Sequence, residues 1–207
     1  MAKLYFEYGA MGAQKSTKLL AVAHNYEERG NKTLLTKPSI DTKGDRVIVS
    51  RIGLEREVDF LASPDTDIER EVMTRHEESI RESNKGINVL LVDEAQFLEP
   101  EQVNQLFNLA VIRSIPVLAY GLRTDFQTRS FPGSRRLMEI AHEIRESVTM
   151  CAIGDGCEKK AVFNARAVEG AYVTEGDQVA IDGADDLEYK PLCGGHFIEH
   201  VGSLPAE

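Results

Sequence analysis

The feature that most constrains the fold is an apolar run in the middle of the chain. Residues 88–92 read NVLLV and are followed directly by Asp93 and Glu94. A strand with one face in water alternates apolar and polar residues, and this run does not alternate, so both of its faces must be covered. The run therefore predicts an interior strand that ends in two carboxylates at its carboxyl edge.

The segments around this run alternate between strand and helix patterns. Residues 3–8, 32–35 and 116–120 are short segments with the apolar character of strands, and apolar residues recur at helical spacing within 19–26, 67–82 and 99–112. This alternation predicts βαβ units and a mostly parallel sheet that binds ligands at the carboxyl ends of its strands. Residues 38–60 carry no apolar period, which predicts a functional or mobile loop.

Chain length and a change of residue pattern near residue 147 predict two unequal domains. The chain has 207 residues, against a soft scale of about 150 per domain. The strand and helix alternation extends to about residue 147, and beyond it glycines punctuate short β-type segments. We therefore expect an α/β domain over residues 1–147 and a small, loop-rich domain over residues 148–207.

Charge and cysteine content exclude several classes of function. Lys and Arg total 24 against 34 Asp and Glu, a net charge of −10, which opposes binding of a nucleic acid over a broad surface. No apolar stretch reaches the length of about 18 residues that crosses a bilayer, so we predict no membrane contact and a cytoplasmic location. Three cysteines, all in the last third, favour a metal site or reduced thiols over disulfides.

A phosphate-binding loop is predicted at residues 9–17, which read GAMGAQKST between a strand and a helix. In such a loop, backbone N–H groups meet the phosphates, Lys15 neutralises their charge and the Ser16 hydroxyl reaches Mg²⁺. The pattern requires glycine just before the lysine, and Gln14 stands there. That position often needs backbone geometry that a Cβ penalises, so an ordinary strand–turn–helix is an equal alternative for the loop alone.

The acid pair changes this balance. An acid pair at a strand end is more often only solvated, but P-loop enzymes complete their metal site with a carboxylate at this place. Asp93 would hold Mg²⁺, and Glu94 would point into the cleft as a candidate base. With the phosphate loop upstream, the pair favours a catalytic role.

Taken together, these residues resemble the type II thymidine kinases, the bacterial and human cytosolic class. The resemblance rests on the loop at residues 9–17, on DEAQF at 93–97, on YGLRTDF at 120–126 and on the cysteine-containing tail. It spans nearly the whole chain. It implies transfer of the ATP γ-phosphate to the 5′-hydroxyl of thymidine or deoxyuridine in nucleoside salvage. It also implies a P-loop NTPase-like α/β sheet plus a small, zinc-binding, β-rich lasso domain.

The resemblance assigns roles to individual residues. Lys15 would stabilise the transferring phosphoryl group, Ser16 and Asp93 would serve Mg²⁺, and Glu94 would accept the hydroxyl proton. The implied ATP and phosphate contacts are Gly9, Ala10, Met11, Gly12, Ala13, Gln14, Lys15, Ser16, Thr17 and Asp41. The implied nucleoside contacts are Met11, Arg51, Phe97, Leu122, Phe126, Phe131 and Tyr189. Core packing is the alternative for each aromatic residue, and it is weakest for Tyr189, which lies in a Gly- and Asp-rich segment.

A structural zinc site is also predicted in the tail. Cys193 and His196 are separated by two residues, a spacing that lets both reach one tetrahedral metal. The family's second pair is Cys, two residues, Cys; Cys157 matches its second member, but position 154 is glycine and Cys151 comes three residues earlier. If the loop at residues 153–156 folds back, the ligands are Cys151, Cys157, Cys193 and His196, with His200 as a spare. Metal-free thiols are the alternative.

The resemblance further implies a homotetramer and feedback inhibition by thymidine triphosphate. A competing hypothesis is a nucleotide-binding protein with reduced or lost kinase activity, because Gln14 replaces a loop glycine. A P-loop ATPase coupled to a protein partner is a third. The presence of Lys15, Ser16, Asp93 and Glu94 together favours the enzyme. His24, His76 and His142 fall in predicted helical stretches and receive no role.

Overall fold

The computed structural model of the chain describes residues 1–41, 46–154, 156–178 and 187–204. The strands are β1 (Leu4–Tyr8), β2 (Lys32–Pro38), β3 (Val47–Val49), β4 (Glu55–Glu57), β5 (Phe60–Ala62), β6 (Ile87–Val92), β7 (Val117–Gly121), β8 (Glu143–Glu146), β9 (Phe163–Val168), β10 (Ala171–Val173) and β11 (Leu187–Leu192). The helices are α1 (Lys15–Glu28), α2 (Ile68–Ser83), α3 (Pro100–Val111), α4 (Pro132–Ile140) and α5 (Gly194–Val201), and Ala95–Phe97 form a 3-10 turn.

The larger sheet has six strands in the order β5-β2-β6-β7-β1-β8. Every neighbouring pair in it is parallel. Parallel strands bring their carboxyl ends to one edge, so the loops after β1, β2, β6 and β7 meet there. This topology confirms the predicted α/β class and sets the phosphate loop and the acid pair at the same edge.

Strand β6 is covered on both faces, as its apolar run predicts. Leu90 and Val92 belong to a core that includes residues of α2 and α3, whereas Val89 and Leu91 belong to a core that includes residues of α1. All four side chains are fully buried. Because side chains alternate along a strand, the run supplies both cores at once.

Helices α2 and α3 each begin at a residue that caps the helix. The Asp67 side chain accepts a hydrogen bond from the Arg70 backbone N–H at the start of α2, and α3 opens with a capping box between Glu99 and Gln102. The apolar residues Ile68, Val72 and Ile80 give the helical pattern over 67–82 and predict one buried stripe, but Ile80 is 43% exposed. The prediction was wrong because Ile80 lies about 120° around the helix from Ile68, at 3.6 residues per turn.

Part of the predicted loop over residues 38–60 contains β structure. Strand β3 pairs with β4 in an antiparallel hairpin, and β5 begins at Phe60. Strands of three residues are too short to show a period in the sequence, which is why the pattern predicted a loop. Residues 42–45, in the same segment, lie outside the described residues.

Residues 132–146 also differ from the sequence-based prediction. The sequence indicated a helical stretch at His142, but His142 lies between α4 and the edge strand β8. Its ring stacks on Phe107 with 5.2 Å between ring centroids, and its Nδ1 accepts a hydrogen bond from the Leu4 backbone N–H at 3.1 Å. His24 and His76 do lie in helices, α1 and α2.

The C-terminal part forms a separate small sheet. Strands β10, β9 and β11 are antiparallel neighbours in that order, and α5 packs against them. Its core contains Cys151, Ala165, Leu192, Cys193 and Phe197. Residues 179–186 and 205–207 lie outside the described residues. In the described ranges, no helix combines the length and the apolar character needed to cross a membrane.

A tight contact between α4 and the turn after β6 generates a prediction. A Cβ added at Gly133 would lie 2.5 Å from the Ala95 carbonyl oxygen and 2.7 Å from that of Leu98. We expect Gly133→Ala to lower the free energy of unfolding by about 1–3 kcal/mol, since backbone must move to admit the methyl group. Urea unfolding measures the loss. Gly195→Ala, with nothing within 4 Å, is the matched control, and equal stability of both variants would contradict the packing argument.

Candidate active site

The phosphate loop folds around its own lysine. Strand β1 ends at Tyr8 and α1 begins at Lys15, and the Lys15 Nζ donates to the carbonyl oxygens of Gly9 at 3.1 Å and Ala10 at 3.2 Å. Gly9 cannot be larger, because a Cβ there would lie 2.4 Å from the Ser147 carbonyl oxygen. The loop therefore holds the ammonium group of Lys15 inside the curve of its backbone.

Gln14 has the backbone conformation that the sequence argument anticipated for its position. Its φ of 56° and ψ of 28° are left-handed, a region where a Cβ costs roughly 1–2 kcal/mol. The side chain is exposed, and α1 still starts normally, with the Lys18 N–H bonded to the Gln14 carbonyl oxygen at 3.0 Å. The loop thus keeps its shape with glutamine in place of glycine.

Buried charges face each other beneath the loop. Asp93 is 4% exposed and accepts a hydrogen bond from the Ser16 hydroxyl. Burial, and next the Glu94 carboxylate, raise the pKa of Asp93 to about 7, against the opposing effects of Ser16 and Lys15. Burial also lowers the pKa of Lys15, while Glu94 and Asp93 oppose that shift. Lys15 and Asp93 therefore favour each other's charged form in this buried place, whereas the Glu94 carboxylate disfavours the charge on Asp93.

The oxygens at this position suit a magnesium ion and a phosphate. A hydroxyl and a carboxylate are ligand types that Mg²⁺ takes alongside phosphate oxygens and water, and Ser16 and Asp93 supply them side by side. The Thr17 hydroxyl is buried and has no hydrogen-bond partner within the described residues. Thr17 lines the same pocket as Ser16 and Asp93.

One pocket collects most of the predicted phosphate-site residues. Its walls include Lys15, Ser16, Asp93 and Glu94 together with Leu122. The remaining lining residues are Met11, Gly12, Gln14, Thr17, Asp41, Val47, Ile48, Val49 and Arg51. The phosphate loop, the acid pair and three predicted nucleoside contacts, Met11, Arg51 and Leu122, therefore open onto one space.

Asp41 and Arg51 reach the pocket from the segment after β2. The Lys37 Nζ donates to Asp41 at 2.9 Å and to the Val47 carbonyl oxygen at 3.3 Å. Arg51 lies beside the phosphate loop, with its Nη1 3.2 Å from where a Cβ of Gly12 would stand. Arg51 was predicted as a nucleoside contact, and the structure brings its guanidinium next to the phosphate loop.

The predicted aromatic residues form two groups. Phe97 and Phe131 pack edge to face, 5.4 Å apart, while the Arg166 guanidinium carbon lies 3.7 Å from the centroid of the Phe126 ring. Arg166 also donates through Nε to the Tyr189 hydroxyl at 2.9 Å. Tyr189 is therefore linked to Phe126 through a buried arginine, and the described contacts do not join Phe97 to either.

The phosphate loop is tied to the small sheet by one amide side chain. The Met11 backbone N–H donates to Asn164 Oδ1 at 2.8 Å, and Asn164 Nδ2 donates to the Thr124 carbonyl oxygen at 3.4 Å. Asn164 lies in β9 and is 4% exposed. The small sheet is thus in direct contact with the loop that would hold phosphate.

The four predicted zinc ligands lie together. One donor atom from each of Cys151, Cys157, Cys193 and His196 is within 4.8 Å of all the others. Cys151 Sγ is 3.2 Å and Cys193 Sγ 3.6 Å from His196 Nδ1. Three sulfurs and one imidazole at such separations suit a tetrahedral zinc, which has Zn–S distances of about 2.3 Å.

The early position of Cys151 does not prevent this cluster. The Cys193 backbone N–H donates to Cys151 Sγ at 3.3 Å, which fixes the sulfur next to the start of α5. His200, the spare ligand, stacks near Tyr172 at 5.3 Å and is outside the cluster. Asp155, in the intervening loop, lies outside the described residues.

Comparison with known proteins decides the family. The thymidine kinase family model matches residues 2–197. The chain belongs to the thymidine kinase family. The thymidine kinase of Enterobacteria phage T4 is 44% identical over 99% of this chain and 100% of its own length. That of Mesorhizobium japonicum is 44% identical over 98% of this chain and 94% of its own.

Among solved structures, a replication initiator DnaA bound to AMPPCP and single-stranded DNA aligns with this thymidine kinase family member. The alignment covers 71% of the present chain and 40% of the DnaA chain. The TM-score is 0.40 and the identity is 18%. A likeness of this degree does not bear on function.

Sequence reasoning missed several residues of this thymidine kinase family site. They are Lys37, Gln96, Asn164 and Arg166. All four are polar side chains that are at most 4% exposed. An arginine inside the small-residue segment NARAV at 164–168 and a lysine near the end of β2 were available signals, since such buried groups must have partners.

The left-handed backbone of Gln14 in this family member generates a stability prediction. We expect Gln14→Gly to raise the free energy of unfolding by up to about 1 kcal/mol, because glycine adopts this region without a steric penalty. Gln14→Val should lower it by about 1–2 kcal/mol, since a branched side chain tolerates the region poorly. Urea unfolding of both variants, with Gln14→Ala as reference, measures the differences. Equal free energies of unfolding for the three variants would contradict backbone strain at this position.

Proposed function

We propose that this protein is an ATP-dependent thymidine kinase that transfers the γ-phosphate of ATP to the 5′-hydroxyl of thymidine or deoxyuridine. The observation that carries the proposal is the shared pocket, in which Lys15, the pair of Ser16 and Asp93, and Glu94 lie within one lining. The relatives of comparable length, which are named thymidine kinases, support the same substrate.

The proposed reaction is an in-line transfer in which the protein contributes position and charge. Lys15 and the loop backbone bind the phosphates, and Ser16 and Asp93 would hold Mg²⁺, which would neutralise phosphate charge. The 5′-oxygen forms a bond to the γ-phosphorus as the bond to the β-phosphate bridging oxygen breaks. Glu94 accepts the hydroxyl proton, and ADP leaves with the electron pair.

The nucleoside would lie between the acid pair and the small sheet. Leu122 and Met11 line the pocket beside Glu94, which supports them as contacts of the sugar or base. Phe97, Phe126, Phe131 and Tyr189 remain predicted contacts. We further propose that residues 148–207 act as the lasso domain that closes over the base, with Arg166 linking Phe126 to Tyr189.

The alternative of a nucleotide-binding protein without activity is less well supported. It rested on Gln14, and the loop accommodates this residue with its lysine in place. Asp41 next to the reacting phosphate and Arg51 in the active-site loop belong to the same proposal. Salvage metabolism, a cytoplasmic location, a homotetramer and inhibition by thymidine triphosphate remain predictions from the family resemblance.

The role of Glu94 gives the test of the proposed function. With ATP, Mg²⁺ and labelled thymidine, the protein should form thymidine monophosphate, and Glu94→Ala should lower kcat by about 100-fold or more, because general-base catalysis contributes about 10²–10⁴. ATP binding, measured by calorimetry, should be retained. Glu77→Ala, on the exposed face of α2, serves as control. Wild-type turnover by Glu94→Ala would remove Glu94 as the base.

The cysteine cluster gives a second test. We propose that it holds one structural zinc per chain, so Cys157→Ser should lower the bound zinc, measured by mass spectrometry of the metal, and lower Tm, because metal binding stabilises only the folded state. His200→Ala should retain the zinc, since that ring lies outside the cluster. A native protein without zinc whose Tm resists chelator would show that the thiols are metal-free.

A further inference from the structure

We infer that Gln96 is a positioning residue for the phosphoryl transfer. Its side-chain amide holds the Glu94 carboxylate in place and ties it to the backbone of Leu122 across the pocket wall. The inference rests on the proposed function, because it takes Glu94 as the proton acceptor. Glu94 and Leu122 line the pocket, whereas the Gln96 side chain lies behind them and is fully buried.

The partners of Gln96 fix the orientation of its amide. The Leu122 backbone N–H donates to Oε1 at 3.0 Å, and Nε2 donates to Glu94 Oε2 at 2.5 Å. A backbone N–H is only a donor, so it must face the amide oxygen, which turns the amide NH₂ toward Glu94. The side chain cannot flip without leaving a buried donor unpaired, which costs about 1–3 kcal/mol.

The surroundings leave Gln96 little room to move. A Cβ added at Gly121 would lie 2.6 Å from Gln96 Oε1 and 3.1 Å from its backbone nitrogen. On the other side, a Cβ at Gly133 would lie 2.9 Å from the Gln96 carbonyl oxygen. Two glycines thus let β7 and α4 pack directly against the turn that carries Gln96. This close packing restricts the movement of the amide.

This rigidity matters for Glu94 because its own backbone provides little restraint on its carboxylate. Glu94 stands at the end of β6 with φ 48°, in the left-handed region, and its side chain has three rotatable bonds. Holding Oε2 leaves Oε1 as the oxygen that can accept a proton from a substrate in the pocket. Placement to within a fraction of an ångström is what such proton transfers require.

The first experiment compares two buried glutamines. Gln96→Met keeps the size of the side chain and removes both hydrogen bonds, and we expect kcat to fall about 10- to 100-fold with KM for ATP unchanged. Gln102→Met is the matched control. Gln102 is also buried, and it bonds to the Ser63 and Thr66 carbonyl oxygens, so its loss should lower Tm and leave kcat unchanged.

Gln96→Glu provides a second variant in case the methionine variant does not fold. It keeps the shape and the acceptor for the Leu122 N–H but replaces the donor that faces Glu94, so kcat should fall here too. A wild-type kcat in either folded variant overturns the inference. A loss of kcat in Gln102→Met as large as that in Gln96→Met overturns it as well, because the effect would then follow from stability alone.

The decisive experiment shortens the side chain at position 94 so that its carboxylate no longer contacts the Gln96 amide. In Glu94→Asp the carboxylate is one methylene shorter and no longer meets the amide, so adding Gln96→Met should lower kcat little further, by at most about twofold. A full additional loss in that background shows that Gln96 does not act through Glu94. Full activity of Glu94→Ala would instead overturn the proposed role of Glu94 as base, and the two failures are therefore distinguishable.

Discussion

The site depends on a cluster of buried, mutually compensating charges at one edge of a parallel sheet. Strand β1 leads into the loop that buries Lys15, β6 is followed directly by buried Asp93, and β7 lies between the two strands in the sheet. Burying either charge alone would be costly, so each depends on its counterpart. Because parallel strands align their carboxyl ends, the fold brings together opposite charges that are far apart in the sequence.

This arrangement requires a residue without a side chain at Gly121, the last residue of β7. The Gly9 N–H donates to the Gly121 carbonyl oxygen at 3.3 Å on one side, and the Gln96 amide packs against the Gly121 Cα on the other. A side chain at this position would push apart the phosphate loop and the turn that carries Glu94. The small residue therefore sets the spacing between the phosphate loop and the turn that carries Glu94.

The central architecture could be predicted from the sequence because its signals are local. An apolar run such as residues 88–92 must be covered on both faces, and the strand–loop–helix context of Lys15 is contiguous. Strands β3, β4 and β8 are three or four residues long, so no period could appear in them. Gln96 and Arg166 escaped prediction because their roles come from partners that are 26 and 23 residues away.

The four predicted zinc ligands show the same difference between signals that are local in the sequence and contacts that form only in the fold. A fixed two-residue spacing predicted the pair of Cys193 and His196, while the position of Cys151 did not match the family pattern. In the fold, the Cys193 N–H on Cys151 Sγ brings the displaced cysteine to the cluster. Likewise, the loop around Lys15 keeps its form with a left-handed Gln14. In both places, at Cys151 and at Gln14, the backbone conformation accommodates the departure from the family pattern.

The most direct test of the account is a crystal structure with thymidine and a non-hydrolysable ATP analogue. The account predicts the 5′-oxygen at about 3 Å from a Glu94 carboxylate oxygen, with the Lys15 ammonium on the terminal phosphate and the Gln96 amide still on Glu94. A nucleoside bound elsewhere, or a 5′-oxygen that faces away from Glu94 while the phosphates occupy the loop, would contradict it.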